Sequence, residues 1–260
     1  MTRSAPSGQR LVARATLAAV VGVVGLAVPA TAAPTEEAGA AADIADTSAA
    51  SFEARTIRLG GVKVRLRPKV RQVVTVNHTT GYRARVVLWT RTDTGWKRRM
   101  TARDGRIGYN GLVPARQRRQ GSGTTPSGTF RLPWAFGTGP AEESWGLDYR
   151  RIRRGDFWVL DNASAHYNRY RNKRQGGFRW RLPATAKNGS ERLRDFPVQY
   201  EYSIVTSFNG NQVRHRGGAI FLHVNGSGAT AGCVSVPRWF LARLMRRLEP
   251  ARNPLIAIGR

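Results

Sequence analysis

The stretch "FLHVNGSGATAGCVSV", residues 221–236, decides how the rest of the chain is read. It holds the single cysteine of the chain, Cys233, and one of four histidines, His223. The apolar run "AIFLHV" ends at the histidine's neighbour. Read as a strand, its period-2 alternation sets Ile220, Leu222 and Val224 on one face, Phe221 and His223 on the other. Beyond the cysteine the period changes. Pro237 sits where the first turn of a helix tolerates it. Phe240, Leu241, Leu244, Met245 and Leu248 then recur at three- and four-residue spacings, with Arg243, Arg246 and Arg247 between them. Pro250 closes this short amphipathic helix. Cys233 is therefore expected in a loop of small residues between a strand and a helix.

Upstream, most of residues 56–224 reads as short strands. "QVVTVN" (72–77), "RARVVLWTRT" (83–92), "DFWVLDN" (156–162), "EYSIVTSFN" (201–209) and "GAIFLHV" (218–224) are rich in Val, Ile, aromatic and Thr residues. "RTDTGW" places Asp93 and Gly95 between two apolar runs, as a hairpin does. "GSGTTPSGTF" and "FGTGP" punctuate the chain further. "PLIAIG" (254–259) supplies a last strand, and residues 163–200, polar and basic, are expected to run over the surface. The fold class is mostly β with one helix.

The first residues belong to another category. Arg3, Arg10 and Arg14 form a basic start, Ala15 to Ala30 is uncharged and apolar, and "PATAAP" offers small residues for cleavage. Residues 1–33 read as a secretory signal. A membrane span needs about 20 apolar residues, and this run has 16. Residues 34–55, rich in Ala, Thr and Ser and carrying Glu36, Glu37, Asp43, Asp46 and Glu53, read as a disordered linker. Residues 56–260 are left as one domain. They carry 39 basic and 11 acidic side chains, a net charge of +28. Such a charge implies a polyanionic environment. Export argues against nucleic acid, and no zinc-finger, homeodomain or RNP-type pattern is present. A secreted, wall-associated protein, monomeric and without a membrane anchor after cleavage, fits the balance.

A lone exported thiol cannot form an internal disulfide, so it is either buried or reactive. A free thiol has a pKa of about 8.5, and acyl transfer needs an imidazole to take its proton and return it to an amine. His223, ten residues upstream, is the candidate base. "NGSGAT" allows the loop to bend back, and Gly232 leaves the backbone N–H groups of Gly232 and Cys233 open as an oxyanion hole. The competing readings are a polar residue at a strand rim and an inert thiol. Zinc is unsupported, because no further Cys, His or paired carboxylate lies nearby at ligand spacing. No Gly-x-Ser-x-Gly elbow points to a serine enzyme. His166, with Trp158, Asp161, Tyr167 and Asn168, reads either as groove lining or as ordinary burial and capping; His78 and His215 lie in turn-like segments.

"GTTPSGTF" (123–130), "EYSIVTSFN" (201–209) and "GAIFLHVNGSGATAGCVSVP" (218–237), in this order, resemble the L,D-transpeptidase (YkuD-type) catalytic domain over roughly residues 70–259. "TPSGTF" is similar to an early turn of that family. The resemblance implies a β-sandwich and a secreted cysteine enzyme of the bacterial cell wall, without metal or organic cofactor. Such enzymes attack a peptidoglycan stem peptide, release its terminal D-Ala, and pass the thioester to a neighbouring amine as a 3→3 cross-link. Carried over by position, Cys233 is the nucleophile, His223 the base, and Gly232 the glycine before the nucleophile. Thr230, Ala231, Ser235 and Asn225 fall at substrate-binding positions. Ala231 stands where the family usually has histidine and Ser235 where many members have arginine, and the His-to-Cys gap is short. Another arginine must then meet a substrate carboxylate if the substrate is the usual one; Arg214 and Arg216, just before the histidine strand, are candidates, against a plain reading as solvated charges. The alternatives are an L,D-carboxypeptidase, with water in place of the acceptor amine, and a basic wall-binding protein without catalysis. A partnership with anionic wall polymers is a further expectation from the charge.

Overall fold

The hairpin signal at Asp93 holds the meander that begins the main sheet. The computed structural model describes residues 55–260, so the signal segment and nearly all of the acidic linker lie outside the described residues. Thr56–Leu59 (β1) and Val62–Arg65 (β2) form a small separate hairpin. Gln72–His78 (β3), Arg83–Thr92 (β4) and Gly95–Arg106 (β5) follow as consecutive antiparallel strands, with Thr92 opposite Gly95 at the tight turn. Leu112–Pro114 (β6), Thr125–Arg131 (β7), Ala135–Gly137 (β8) and Tyr149–Arg151 (β9) come next. Asp156–Trp158 (β10), Tyr170–Asn172 (β11) and Glu191–Arg192 (β12) pair only with one another. Ser203–Val205 (β13), Phe221–Val224 (β14), Val234–Val236 (β15), helix α1 (Arg238–Met245) and Leu255–Gly259 (β16) complete the chain.

Eleven strands make the main sheet, in the order β6-β7-β16-β3-β4-β5-β15-β14-β13-β8-β9. Both of its faces are covered, which is why its central strands alternate between two sets of apolar residues rather than between apolar and polar ones. One face gathers Val74, Val76, Ile204, Leu222, Val224, Val234 and Val236 against Phe240, Leu241, Leu244 and Met245 of α1. Each of those four helical side chains, fully buried, contributes about 1.5–3 kcal/mol. On the opposite face the β1–β2 hairpin covers Val73, Leu255 and Ala257. Further along that same face, Phe136, Phe221 and Cys233 lie beneath Trp158, Leu193 and Tyr200. The fold is mostly β, with sandwich-like layers and one α-helix among the described residues.

Several strands are shorter than their apolar runs suggest. "EYSIVTSFN" is a strand only over Ser203–Val205, because the Thr206 hydroxyl donates to Ile220 O (2.7 Å) and the chain turns at Asn209. "DFWVLDN" stops at Trp158, and the Asp161 carboxylate accepts from the Ala163 N–H and pairs with Arg179. "TPSGTF" is strand β7 rather than a turn, bonded between β6 and β16. Pro237 caps α1 instead of entering it, and the helix ends at Met245, before Pro250. The largest difference is the segment between β9 and β13. It is not a mere surface excursion but a roof, with Tyr167, Leu193 and Tyr200 buried inside it.

Candidate active site

Parallel pairing of β14 with β15 builds the site. Leu222 lies opposite Val234 and His223 opposite Ser235. Cys233 therefore stands two residues before Ser235, on the same sheet face as Phe221 and His223. From ordinary strand spacings the Cys233 and His223 Cα atoms are about 8 Å apart. Both side chains are buried, at 8 % and 6 % exposure.

The resting thiol is held as a neutral donor. Its Sγ donates to Ala219 O at 3.0 Å and accepts from the Phe221 N–H at 3.4 Å. Ala219 adopts a left-handed backbone (φ 53°), a strained choice for alanine, and so aims its carbonyl at the sulfur. Burial pushes the thiol up to about 12; the nearby Glu191 charge adds to this, while the Phe221 N–H and Arg118 oppose it. His223 Nδ1 lies 2.7 Å from Val224 O. A carbonyl only accepts, so Nδ1 carries the proton and Nε2 is left with its lone pair. Burial lowers the imidazole to about 4. Thiol and imidazole share no hydrogen bond in this structure, and the pair is neutral at pH 7.

The turn before the cysteine is braced from within. Thr230 Oγ1 donates to Cys233 O (2.7 Å) and accepts from the Gly232 N–H (3.1 Å). Thr230 thus shapes the loop, and of the two expected oxyanion donors the Cys233 N–H is the one without a partner among the described residues. Ala231 is exposed beside it, whereas Ser235 is fully buried. The Asn225 amide nitrogen donates to Asp104 O (2.8 Å) and to an Asp104 carboxylate oxygen. Ser203 and Ser235 flank His223 on its two neighbouring strands, and both hydroxyls are buried without a hydrogen-bond partner.

The roof supplies what the local sequence did not announce. Tyr200 meets His223 edge-on, with ring centroids 5.5 Å apart, and its hydroxyl donates to Glu191 Oε1. Burial raises the Glu191 carboxyl to about 7. A raised folded-state value means that stability is full below the ordinary 4.5 and is lost as pH rises through 7. Relative to the native protein, Glu191→Gln is expected to gain stability as pH rises from about 4.5 to about 7, by up to about 3 kcal/mol. Urea unfolding of both proteins across that range measures it, and a constant difference would place the carboxyl's titration elsewhere.

The arginines near the site are also redistributed. Arg214 donates to Ser164 O (2.5 Å) and stacks over Tyr167. Arg216 borders a different surface hollow. The buried one is Arg118, at 4 % exposure, from the run "RQRRQ". Nothing in that run separates it from its solvated neighbours. Of the other candidates, the Trp158 indole donates to Asn168 Oδ1 (2.7 Å) and Asp161 binds Arg179, so these residues serve the roof's internal structure. His78 accepts from Arg260 at 3.0 Å, remote from β14 and β15 in the sheet.

These elements define a mostly-β domain with a buried histidine on β14 and a buried cysteine immediately before the adjacent parallel strand β15. The family model of the L,D-transpeptidase catalytic domain (YkuD) matches residues 71–256. The chain belongs to that family. Among solved structures, the crystal structure of L,D-transpeptidase 1 from Mycobacterium tuberculosis is similar at 11 % identity and a TM-score of 0.31. That match covers 72 % of this chain and 61 % of the other. No curated protein matches the chain.

Proposed function

We propose that the protein is a secreted cysteine transpeptidase acting on peptidoglycan stem peptides. The β14–β15 pairing carries this reading, because it sets the Cys233 thiol and the free Nε2 of His223 on one covered face. On substrate binding, His223 Nε2 takes the thiol proton as sulfur attacks the carbonyl carbon. The Cys233 N–H faces the oxyanion, the C–N bond breaks, and the proton leaves with the departing D-Ala amine. An acceptor amine then attacks the thioester, its proton passes through His223, and the C–S bond breaks to restore the thiol. With a diamino-acid side-chain amine as acceptor the product is a 3→3 cross-link.

Mass analysis of products from tetrapeptide-bearing muropeptides tests this directly. Cross-linked dimer is the expected result. Free tripeptide alone would make the protein a carboxypeptidase, and unchanged substrate would remove the enzymatic reading. The roof also bears a cleft of about 690 Å³ lined by Arg154, Lys173, Arg181, Arg192 and Arg194. It supports retention on anionic wall polymer, which salt-sensitive co-sedimentation with purified wall sacculi would detect.

A further inference from the structure

Arg118 is a buried cation without a counter-anion. Nε donates to Thr124 O at 2.8 Å and Nη1 to Arg119 O, while Nη2 donates to no protein group. No carboxylate lies within ion-pair distance of it among the described residues. Desolvation lowers its pKa, the mark of a charge held where charge is costly. A buried charge met only by carbonyl oxygens, with no counter-ion, costs the fold stability.

The backbone is arranged to admit this one side chain. A Cβ on Gly232 would project to 2.9 Å from Arg118 Nη2 and 2.9 Å from Thr124 O. A Cβ on Gly217 would collide with Nη1. Both glycines have positive φ, 136° and 88°. They stand on the two loops that bracket β14, so the guanidinium is wedged between the chain entering the histidine strand and the chain reaching the cysteine. The ionisable groups that feel its charge are Cys233, Tyr167 and Tyr109. Of these, Cys233 is the one bonded to Gly232.

We propose that Arg118 is the positioning cation of the cysteine centre, balancing the negative charge that forms at Cys233 as thiolate and then at the adjacent oxyanion. The inference rests on Cys233 being the nucleophile. It explains how a site without a cation on β15 can work: the charge comes from the loop before β7 and lies against Gly232, the residue before Cys233. In the resting state Glu191 and Arg118 act on the thiol with opposite signs.

Alkylation of Cys233 by iodoacetamide at pH 8, with no peptide present, tests the proposal. Arg118→Gln and Arg118→Met should alkylate about tenfold more slowly than the native protein, the loss expected from a rise of about one unit in the thiol pKa. Arg118→Lys should stay within about twofold, because it keeps the charge while losing the fork of bonds to Thr124 and Arg119. A purely structural brace predicts the reverse order: loosened packing speeds alkylation in every variant, lysine included. Equal rates in all variants, or faster alkylation in the neutral ones, would overturn the proposal. If neither neutral variant folds, the lysine variant decides, since a changed rate there rejects the charge role and an unchanged rate supports it. Muropeptide turnover is recorded in parallel. Absent turnover with an intact alkylation effect sinks the transpeptidase reading alone; intact turnover without the alkylation effect sinks this one.

Discussion

Cys233→Ala is expected to abolish cross-link formation, with turnover falling by at least about 10⁴-fold, while the fold survives. The two halves of that result have separate causes. Chemically, the covalent intermediate needs the sulfur, and neither the Cys233 N–H nor His223 can replace a nucleophile. Structurally, the thiol makes two hydrogen bonds, to Ala219 O and from the Phe221 N–H. Losing a weak S–H donor costs on the order of 1 kcal/mol, and the Phe221 side chain still packs against Phe136 and Trp158. A melting temperature within a few degrees of native, measured beside turnover, checks both halves. Substantial turnover in the folded alanine variant would dismiss Cys233 as nucleophile.

His223→Gln should lower kcat by about 10²–10⁴ with little change in KM. The glutamine can keep a bond to Val224 O but offers no imidazole nitrogen to hold and return a proton. The informative part is what should not change. Burial pushes the thiol up to about 12 and the imidazole down to about 4, so the resting pair is neutral, not a thiolate–imidazolium ion pair. Alkylation of resting Cys233 should then differ from native by no more than a few-fold in this variant. If alkylation falls in step with kcat, the pair is already charged before substrate arrives, and the neutral resting state is wrong.

How much of this was legible beforehand depends on whether the signal is periodic. β3, β4 and β16 were readable because each carries a run of Val, Ile, Leu, Ala or Thr residues, buried in the structure on both faces. The facing of Phe221 and His223 followed from alternation alone and agrees with their place opposite the α1 layer. The roof was readable only at β10, from "DFWVLDN". Its strands have two or three residues, and its anchors Trp158, Tyr167, Leu193 and Tyr200 follow no repeat. Glu191 and Tyr200 therefore joined the site unannounced. Arg118 was hidden for another reason: a buried arginine and a solvated one look identical in "RQRRQ", and only Gly217 and Gly232 across the fold set them apart.

The β14–β15 pairing has one more consequence. Histidine and cysteine are fixed relative to each other by ladder hydrogen bonds, and the loop from Asn225 to Gly232 merely closes the path between two settled ends. Loop closure costs little more as length grows. The count of residues between His223 and Cys233 can therefore drift, by insertion or deletion, without moving the two side chains. A fixed-gap motif would mistake such drift for loss of the site. What distant relatives should share is the two-residue offset across a pair of parallel strands, and that offset is what a pattern search ought to encode.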